Sequence, residues 1–276
     1  MKGKDIKTMM TSDYLTSVER ALSYSKYFFR DSFPPTDRQA LALDNPLNES
    51  DMLSIEHRNK LLDSTPVVGD TGYGIFKDGT GYVANVTSMP NVTPEMFYWW
   101  FAWHPLEDLR YKIWFPEAHF YARTMNREQA LDETLSMRHR IWDTTHLICE
   151  NVVTGAEDIV LDFLSPDRMG FDESLLDEHT TAMVCANGHP KFPGQGLNCV
   201  MAHVLRQGNN GYELRSQFWI GYQIVNRNLC RVIPEDVSIP LEGAKALFSH
   251  CCEEFSNLSR FLPSLYEEES PKPFLP

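Results

Sequence analysis

The stretch GAKALFSHCCEEFSNLSRF, residues Gly243–Phe261, predicts a long amphipathic helix near the end of the chain. Its apolar residues recur at steps of three and four, which is the period of a helix with one buried face. They are Ala244, Leu247, Phe248, Cys251, Phe255, Leu258 and, just beyond the stretch, Leu262. Pro240 precedes the helix and Pro263 follows it, so both prolines are predicted to mark its ends.

On this helix His250 and Glu254 are four residues apart and therefore point in the same direction. An imidazole and a carboxylate one turn apart can both bind one metal ion. The chain has nine histidines, and about one such pair is expected by chance, so the pair taken alone favours an ion pair on an exposed helix face. A metal site therefore requires two further ligands from elsewhere. Cys251 lies on the apolar stripe and is predicted to be core and not a ligand.

Composition and charge limit the possible classes of function. The 276 residues are 42% hydrophobic and 12% aromatic, which is enough for a sizeable core in one large or two smaller domains. The net charge of −13 argues against a nucleic-acid partner, because such proteins carry a basic patch. No apolar run is long enough to span a membrane. The acidic run Glu267–Glu269 is predicted to be a solvated end.

Cysteine usage and the start of the chain predict a cytoplasmic location. The six cysteines include no CxxC pair, and no apolar segment follows the basic residues Met1–Lys7 as it would in a signal peptide. Free thiols in a reducing compartment are the expected state.

Residues 1–66 are predicted to form a helical arm or cap, and residues 67–276 the main domain. The apolar spacing within residues 11–30 indicates a helix, and a second short helix is predicted at Ser54–Leu62. Residues 40–65 are otherwise polar, with several turn signals. This apolar content is too thin for a separate domain.

A series of short strands is predicted from Val67 onward. Lys77–Gly81 lies between two β-rich runs and is typical of a hairpin turn. Further strands are predicted at His146–Val153, Asp158–Phe163, Thr180–Cys185, Leu197–Leu205, Glu213–Val225 and Leu229–Ile233. Many strands followed by one helix favour an α+β architecture, a large antiparallel sheet covered by helices. The glycines in this region match no phosphate-binding loop.

An aromatic segment precedes most of these strands. Thr93 is a good N-cap with Pro94 at the first helical position, and the helix is predicted to end before Pro105. Three of the six tryptophans fall within Phe97–Trp103. So dense an aromatic segment forms either core or the wall of an aromatic pocket, and both interpretations remain open.

The run WWFAWHP at Trp99–Pro105, then RYKIW at Arg110–Trp114, then His119, resembles a known enzyme family. It is similar to the zinc-dependent carbon–carbon hydrolases of acylated phloroglucinols, which include phloretin hydrolase and diacetylphloroglucinol hydrolase. The family pattern continues with a glutamate on a strand and a late His-x-x-x-Glu helix. This chain has Glu150 at the first place, and the helix described above supplies the second. The resemblance covers about residues 70–262.

The resemblance implies a curved antiparallel sheet that grips the long C-terminal helix, a helix-grip fold of the Bet v 1 type. It also implies four metal ligands, which in this chain would be His119, Glu150, His250 and Glu254. Two imidazoles and two carboxylates suit Zn²⁺. The expected partner is a small aromatic acylphloroglucinol, and a homodimer is expected.

The same resemblance gives Tyr111 and His203 as catalytic residues of the pocket. His203 is interpreted as the proton shuttle and Tyr111 as a hydrogen-bond donor to a substrate oxygen. Without the resemblance, the sequence favours a packed or interfacial tyrosine at Tyr111 and a core histidine at His203, and Glu150 can simply face solvent on its strand.

Two departures from the family pattern bear on the substrate. Ala122 stands where the diacetylphloroglucinol enzyme has an asparagine, and Phe218 or Trp219 stands where it has a tyrosine. Less polar pocket walls favour phloretin, cleaved to phloroglucinol and phloretic acid. The alternatives are diacetylphloroglucinol hydrolysis, a non-catalytic binder of aromatic ligands, or another zinc hydrolase such as an esterase. No HExxH or GxSxG motif supports common protease or lipase chemistry.

Overall fold

Antiparallel strands and one long C-terminal helix form the framework of the protein. The computed structural model describes residues 15–63, 67–152, 155–177, 181–192, 196–208 and 210–270. The strands are β1 Gly72–Ile75, β2 Gly81–Met89, β3 His119–Thr124, β4 Thr144–Asn151, β5 Ala156–Leu164, β6 Thr181–Pro190, β7 Cys199–Gly208, β8 Gly211–Ile220, β9 Tyr222–Val225 and β10 Asn228–Arg231. Eight of them form one antiparallel sheet in the order β1-β2-β8-β7-β6-β5-β4-β3.

Helices cover this sheet and its edges. The α-helices are α1 Ser17–Arg20, α2 Asp37–Asp44, α3 Pro94–Trp103, α4 Asp108–Lys112, α5 Arg127–Leu131 and α6 Leu241–Glu269. Short 3₁₀ segments lie at Ser23–Phe29, Glu49–Asp51, Ile55–Leu62, His104–Leu106, Met137–Arg140 and Glu173–Leu175. The predicted α+β class, an antiparallel sheet with a long C-terminal helix, is confirmed.

The C-terminal helix α6 packs its apolar stripe on the inner face of the sheet. Phe248 on α6 lies 5.8 Å, between ring centroids, from Tyr73 on β1. Farther along the helix, the hydroxyl of Ser259 donates a 2.7 Å hydrogen bond to the carbonyl of Ser88 on β2. Cys251 is fully buried in the same core, as predicted from its place in the stripe.

The prediction that α6 ends before Pro263 is wrong, because the helix continues to Glu269. Tertiary contacts beyond the proline outweigh the lost backbone hydrogen bond. Leu265 is fully buried, and the Tyr266 hydroxyl donates a 2.8 Å hydrogen bond to Glu95. In the acidic run predicted to be a solvated end, Glu267 and Glu268 are exposed, and Glu268 forms a 2.7 Å ion pair with Lys26 at the surface.

Two hydrophobic clusters lie on opposite faces of the sheet. The inner cluster joins α3, α6 and the residues of the sheet that face them. The outer cluster includes Leu53, Ile55 and Leu61 from the N-terminal segment, packed with Tyr82 and Trp219 of the sheet. The Trp219 indole donates a 2.8 Å hydrogen bond to the Leu53 carbonyl, so the outer face is closed by the N-terminal segment.

Several local predictions need correction. The helix predicted within residues 11–30 is broken into α1 and the 3₁₀ segment Ser23–Phe29, while residues 11–14 lie outside the described part. The polar stretch near residue 40 contains α2, which begins at a Thr36 capping box. The run Glu213–Val225 is two strands, because Gly221 turns the chain with φ of 97°. β9 and β10 form a separate two-stranded sheet.

Candidate metal centre and active site

The four predicted ligands come from two neighbouring strands and the long helix. His119 begins β3 and lies directly opposite Glu150 on β4. A register shift between His119 and Tyr121 interrupts the regular alternation of β3 at this point. His250 and Glu254 lie one turn apart on α6.

These side chains meet in one buried cluster. The Nε2 atoms of His119 and His250 are 3.1 Å apart. Glu150 Oε2 lies 3.6 Å from His119 Nε2 and 3.7 Å from His250 Nε2. Glu254 Oε2 lies 3.7 Å and 4.0 Å from the same two nitrogens. The ligand atoms of His119, His250 and Glu254 are all within 4.8 Å of one another, and Glu150 closes the group from the strand side.

Backbone groups hold both imidazoles with Nε2 turned inward. His119 Nδ1 donates to the Tyr111 carbonyl at 3.3 Å. Burial lowers the pKa of His250, and a hydrogen bond from its ring to the backbone of Asn151 partly opposes this lowering. An imidazole that donates its other N–H to the backbone carries a lone pair on the facing nitrogen. Two lone pairs therefore point at each other across 3.1 Å, an arrangement that a shared cation stabilises.

Burial and charge act on the cluster in ways that favour a cation. Burial, together with His250, holds the pKa of His119 well below its usual range, so the ring is neutral. Burial and the nearby Glu150 charge raise the pKa of Glu254 well above its usual range. Neutral imidazoles and two crowded carboxylates are ready to bind a divalent ion. A tetrahedral ion with bonds of about 2.0–2.2 Å holds its ligand atoms about 3.3–3.6 Å apart, close to the observed spacing.

Tyr111 on α4 supports the cluster directly. Its hydroxyl donates a 2.5 Å hydrogen bond to Glu150 Oε2, and its ring stacks on His119 with centroids 4.0 Å apart. Burial, followed by the Glu150 charge, raises the pKa of Tyr111 well above its usual value, so the hydroxyl keeps its proton. In this structure the acceptor of Tyr111 is therefore a predicted metal ligand.

A cavity of about 390 Å³ opens beside this cluster. Tyr111, Glu150, His250 and Glu254 form one part of its wall. Apolar side chains form most of the remainder, including Phe101, Ile159, Leu161, Phe163, Met201, Phe218 and Ile220. The volume and the mostly apolar lining suit a small aromatic molecule, with polar groups gathered at one place.

His203 lies on β7 in the wall of the same cavity. Its Nδ1 is 2.9 Å from the hydroxyl of Ser216, its cross-strand partner on β8. Its ring packs against Phe255 with centroids 4.8 Å apart. Burial lowers the pKa of His203 to about 3, so its ring is neutral near pH 7.

The structure shows which residues of the aromatic segment and of the departures from the family pattern line the cavity. Within Phe97–Trp103, Phe101 lines the cavity, whereas most of the segment packs in the inner core. Phe218 lines the cavity, whereas Trp219 points to the outer face. Ala122 is fully buried in the inner core and does not contribute to the described wall.

Sequence reasoning missed two further histidines of the wall, His104 and His146. His104 follows α3 and His146 lies on β4, and both are almost fully buried. Asp108 follows His104 and Glu150 follows His146 by four residues, but in neither case were both residues predicted on one helix, so this spacing did not mark the histidines as site residues. Their position in the cavity follows from strand pairing and from the packing of α3.

The described residues thus define an α+β protein with a cavity for a small, mostly apolar molecule beside a candidate metal centre. Residues 53–267 match the family model described as DAPG hydrolase PhiG domain. The chain belongs to this family and is a hydrolase.

The relatives include a phloretin hydrolase from Eubacterium ramulus, 38% identical over 256 residues that cover 91% of this chain and 92% of the relative. They also include a 2,4-diacetylphloroglucinol hydrolase from Pseudomonas protegens, 29% identical over 264 residues that cover 89% of this chain and 84% of the relative. A crystal structure of Ara h 8.0201 aligns with a TM-score of 0.41 and 11% identity, covering 69% of this chain and 99% of that one.

None of the described helices is both long enough and apolar enough to cross a membrane.

Proposed function

We propose that this chain hydrolyses the carbon–carbon bond between an acyl group and a phloroglucinol ring. The proposed substrate is phloretin, and the products are phloroglucinol and phloretic acid. The observation that carries the proposal is the two-histidine, two-carboxylate cluster in the wall of a largely apolar cavity. The 38% identity to a phloretin hydrolase over nearly the whole chain supports it.

We infer that His119, Glu150, His250 and Glu254 hold Zn²⁺. Two nitrogen and two oxygen donors form a common ligand set for this ion, and the backbone bonds behind the imidazoles fix the required tautomers. When bound, the metal supplies a Lewis acid for the ketone and lowers the pKa of a nearby water. Tyr111 would keep Glu150 in position through its hydroxyl while its ring supports His119.

The remaining roles follow from the balance of the reaction. Hydrolysis places a hydroxyl on the acyl carbon and a proton on the ring carbon as the bond between them breaks. His203 is the proposed route for that proton, because its neutral ring lines the cavity and is tied to Ser216. The hydrophobic wall excludes bulk water and strengthens each polar contact inside.

The proposed preference for phloretin depends on Phe218. The resemblance places Phe218 or Trp219 where the diacetylphloroglucinol enzyme has a tyrosine, and of these two side chains Phe218 adds apolar surface to the cavity. An aryl-ended acyl chain gains from apolar burial, whereas a second acetyl group finds no hydroxyl there.

The experiment that tests the proposal is metal analysis of purified protein combined with product analysis on phloretin and diacetylphloroglucinol. Zinc near one equivalent, with phloroglucinol and phloretic acid as products, is the expected result. Binding of phloretin without turnover by metal-loaded protein would identify a non-catalytic binder. Turnover of neither ketone, together with cleavage of an aryl ester, would identify a different hydrolase.

Three proposals on organisation accompany this function. We propose that residues 1–66 act as a cap on a catalytic domain formed by residues 67–276. We also propose a homodimer and a cytoplasmic location, which gel filtration and cell fractionation would test.

A further inference from the structure

His104 and His146 lie together in the cavity wall, apart from the candidate metal centre. Their ring centroids are 6.3 Å apart and their planes are nearly perpendicular. The two side chains are 3% and 2% exposed. Among the described residues, neither ring forms an ion pair with a carboxylate. The mechanism proposed above uses neither of them.

The hydrogen bond behind His104 fixes its tautomer. Nδ1 is 2.8 Å from the Trp100 carbonyl, which can only accept, so the proton is on Nδ1. Burial lowers the pKa of His104 to about 3, so the ring carries no second proton near pH 7. Nε2 therefore presents a bare lone pair, and within the described part of the chain it has no hydrogen-bond partner.

The tautomer of His146 is fixed by a hydrogen bond with Thr144. The Thr144 hydroxyl donates its proton to the Ile141 carbonyl. Its oxygen can then only accept from His146 Nε2, which lies 3.3 Å away. His146 Nδ1 is thus left as a second bare lone pair, buried and without a partner among the described atoms.

We propose that His104 and His146 form a hydroxyl-recognition subsite, in which the two imidazole lone pairs accept O–H groups from two hydroxyls of one phenolic ring. His146 Nδ1 is enclosed in this structure, so its ring turns toward the cavity when the hydroxyl binds. The inference rests on the proposed function for its substrate class. A ring with hydroxyls on alternate carbons presents several donors from one rigid edge. Phe163, 4.6 Å from His146 between centroids, and Phe101, 5.5 Å from His104, supply apolar surface for the ring itself.

The energetic basis is the cost of a buried acceptor that lacks a donor. When a ligand lacks the matching hydroxyl, the buried nitrogen stays without a donor and the complex keeps that free-energy cost. Sites of this kind therefore reject analogues that lack the hydroxyl. The pair therefore selects a 1,3-dihydroxylated ring over a monohydroxylated one of nearly the same shape. It acts on ring recognition and not on the choice of acyl chain.

The test is a binding titration, followed by NMR, that compares resorcinol with phenol. In the unaltered protein resorcinol is expected to bind about tenfold more tightly, which corresponds to one well-placed hydrogen bond. In His104→Phe and in His146→Phe, each of which keeps an aromatic ring, this ratio should fall to about one. His57→Phe makes the same change at an exposed site and should leave the ratio unchanged.

A second measurement needs no variant. In protein with ¹⁵N-labelled histidine, His104 Nε2 and His146 Nδ1 should show the shifts of unprotonated nitrogens, and resorcinol should move both. A proton found on either of these nitrogens, or a resorcinol-to-phenol ratio unchanged in both variants, would overturn the subsite. Neither measurement requires turnover. Phloretin cleavage with an unchanged ratio would refute only the subsite, and hydroxyl-dependent binding without cleavage would refute only the proposed function.

Discussion

Two pairs of buried histidines line or adjoin one cavity, and they differ in the charges around them. His119 and His250 face two carboxylates within about 4 Å, whereas His104 and His146 form no ion pair among the described residues. Burial lowers the pKa of every ring in both pairs. The histidines themselves are therefore equivalent, and the neighbouring carboxylates decide whether a pair suits a metal ion or a neutral donor.

In both pairs, hydrogen bonds to neighbouring groups fix the tautomer of the imidazole rings. His119 and His104 each give one N–H to a backbone carbonyl, from Tyr111 and Trp100 respectively. This contact fixes the tautomer and leaves the other nitrogen as an acceptor. The comparison predicts that removing a carboxylate abolishes one function while leaving the other in place.

Replacing Glu254 by Gln should have the largest effect. The amide keeps the shape but removes the negative charge, so zinc retention should fall and phloretin turnover should decrease by about a thousandfold or more. Elemental analysis and a turnover assay measure the two quantities, and circular dichroism should show an unchanged fold. Glu253→Gln makes the same change one position along α6 and should retain metal. Full zinc and full activity in Glu254→Gln would exclude Glu254 as a ligand.

Replacing Tyr111 by Phe should have the next largest effect. The ring can still stack on His119, but Glu150 loses its 2.5 Å hydrogen bond. Loss of such a supporting bond typically lowers metal affinity about 10–100-fold. Competition with a chelator measures the affinity. Tyr121→Phe removes a hydroxyl bonded to Asp158 outside the cluster and is the matched control. Equal zinc affinity in both variants would contradict a supporting role for Tyr111.

The elements that could be predicted from the sequence are those with a regular period. The three-to-four spacing around His250 specified α6 and its buried face, and β-branched runs marked most of the strands. β3 was missed because the register shift after His119 breaks its alternation. The true end of α6 depends on contacts of Leu265 and Tyr266 with distant segments, which override the local signal of Pro263.

Less of the site could be predicted from the sequence, because its geometry depends on how the strands are paired. His250 and Glu254 share a helix face, but the position of Glu150 opposite His119 is fixed by strand pairing over 31 residues. The family resemblance supplied that link. The resemblance assigned no role to His104 or His146, and their tautomers depend on contacts with Trp100 and with the threonine and carbonyl behind His146. The bound metal itself stays a prediction.

Replacing Phe218 by Tyr tests another residue of the cavity wall and should have a smaller effect. The unaltered protein should favour phloretin over diacetylphloroglucinol by several-fold in kcat/KM. A hydroxyl at this position offers a partner to a second acetyl group, so the preference should fall by about threefold to tenfold. Steady-state assays of both substrates under identical zinc conditions measure the ratio. Phe76→Tyr adds a hydroxyl on the outer face and should not change it.

The smallest of the expected effects is that of metal removal on the ratio of resorcinol to phenol affinity. If the two histidine pairs are independent, a chelator that strips the metal abolishes turnover but changes the ratio of resorcinol to phenol affinity by less than about twofold. The reason is that His104 and His146 owe their lone pairs to Trp100 and Thr144, and neither of those contacts involves a carboxylate. NMR titration of metal-loaded and metal-free protein gives both ratios, and adding zinc back should restore turnover. If removing the metal lowered the ratio of resorcinol to phenol affinity to about one, the hydroxyls would be bound at the carboxylate cluster. The two histidine pairs would then form one site.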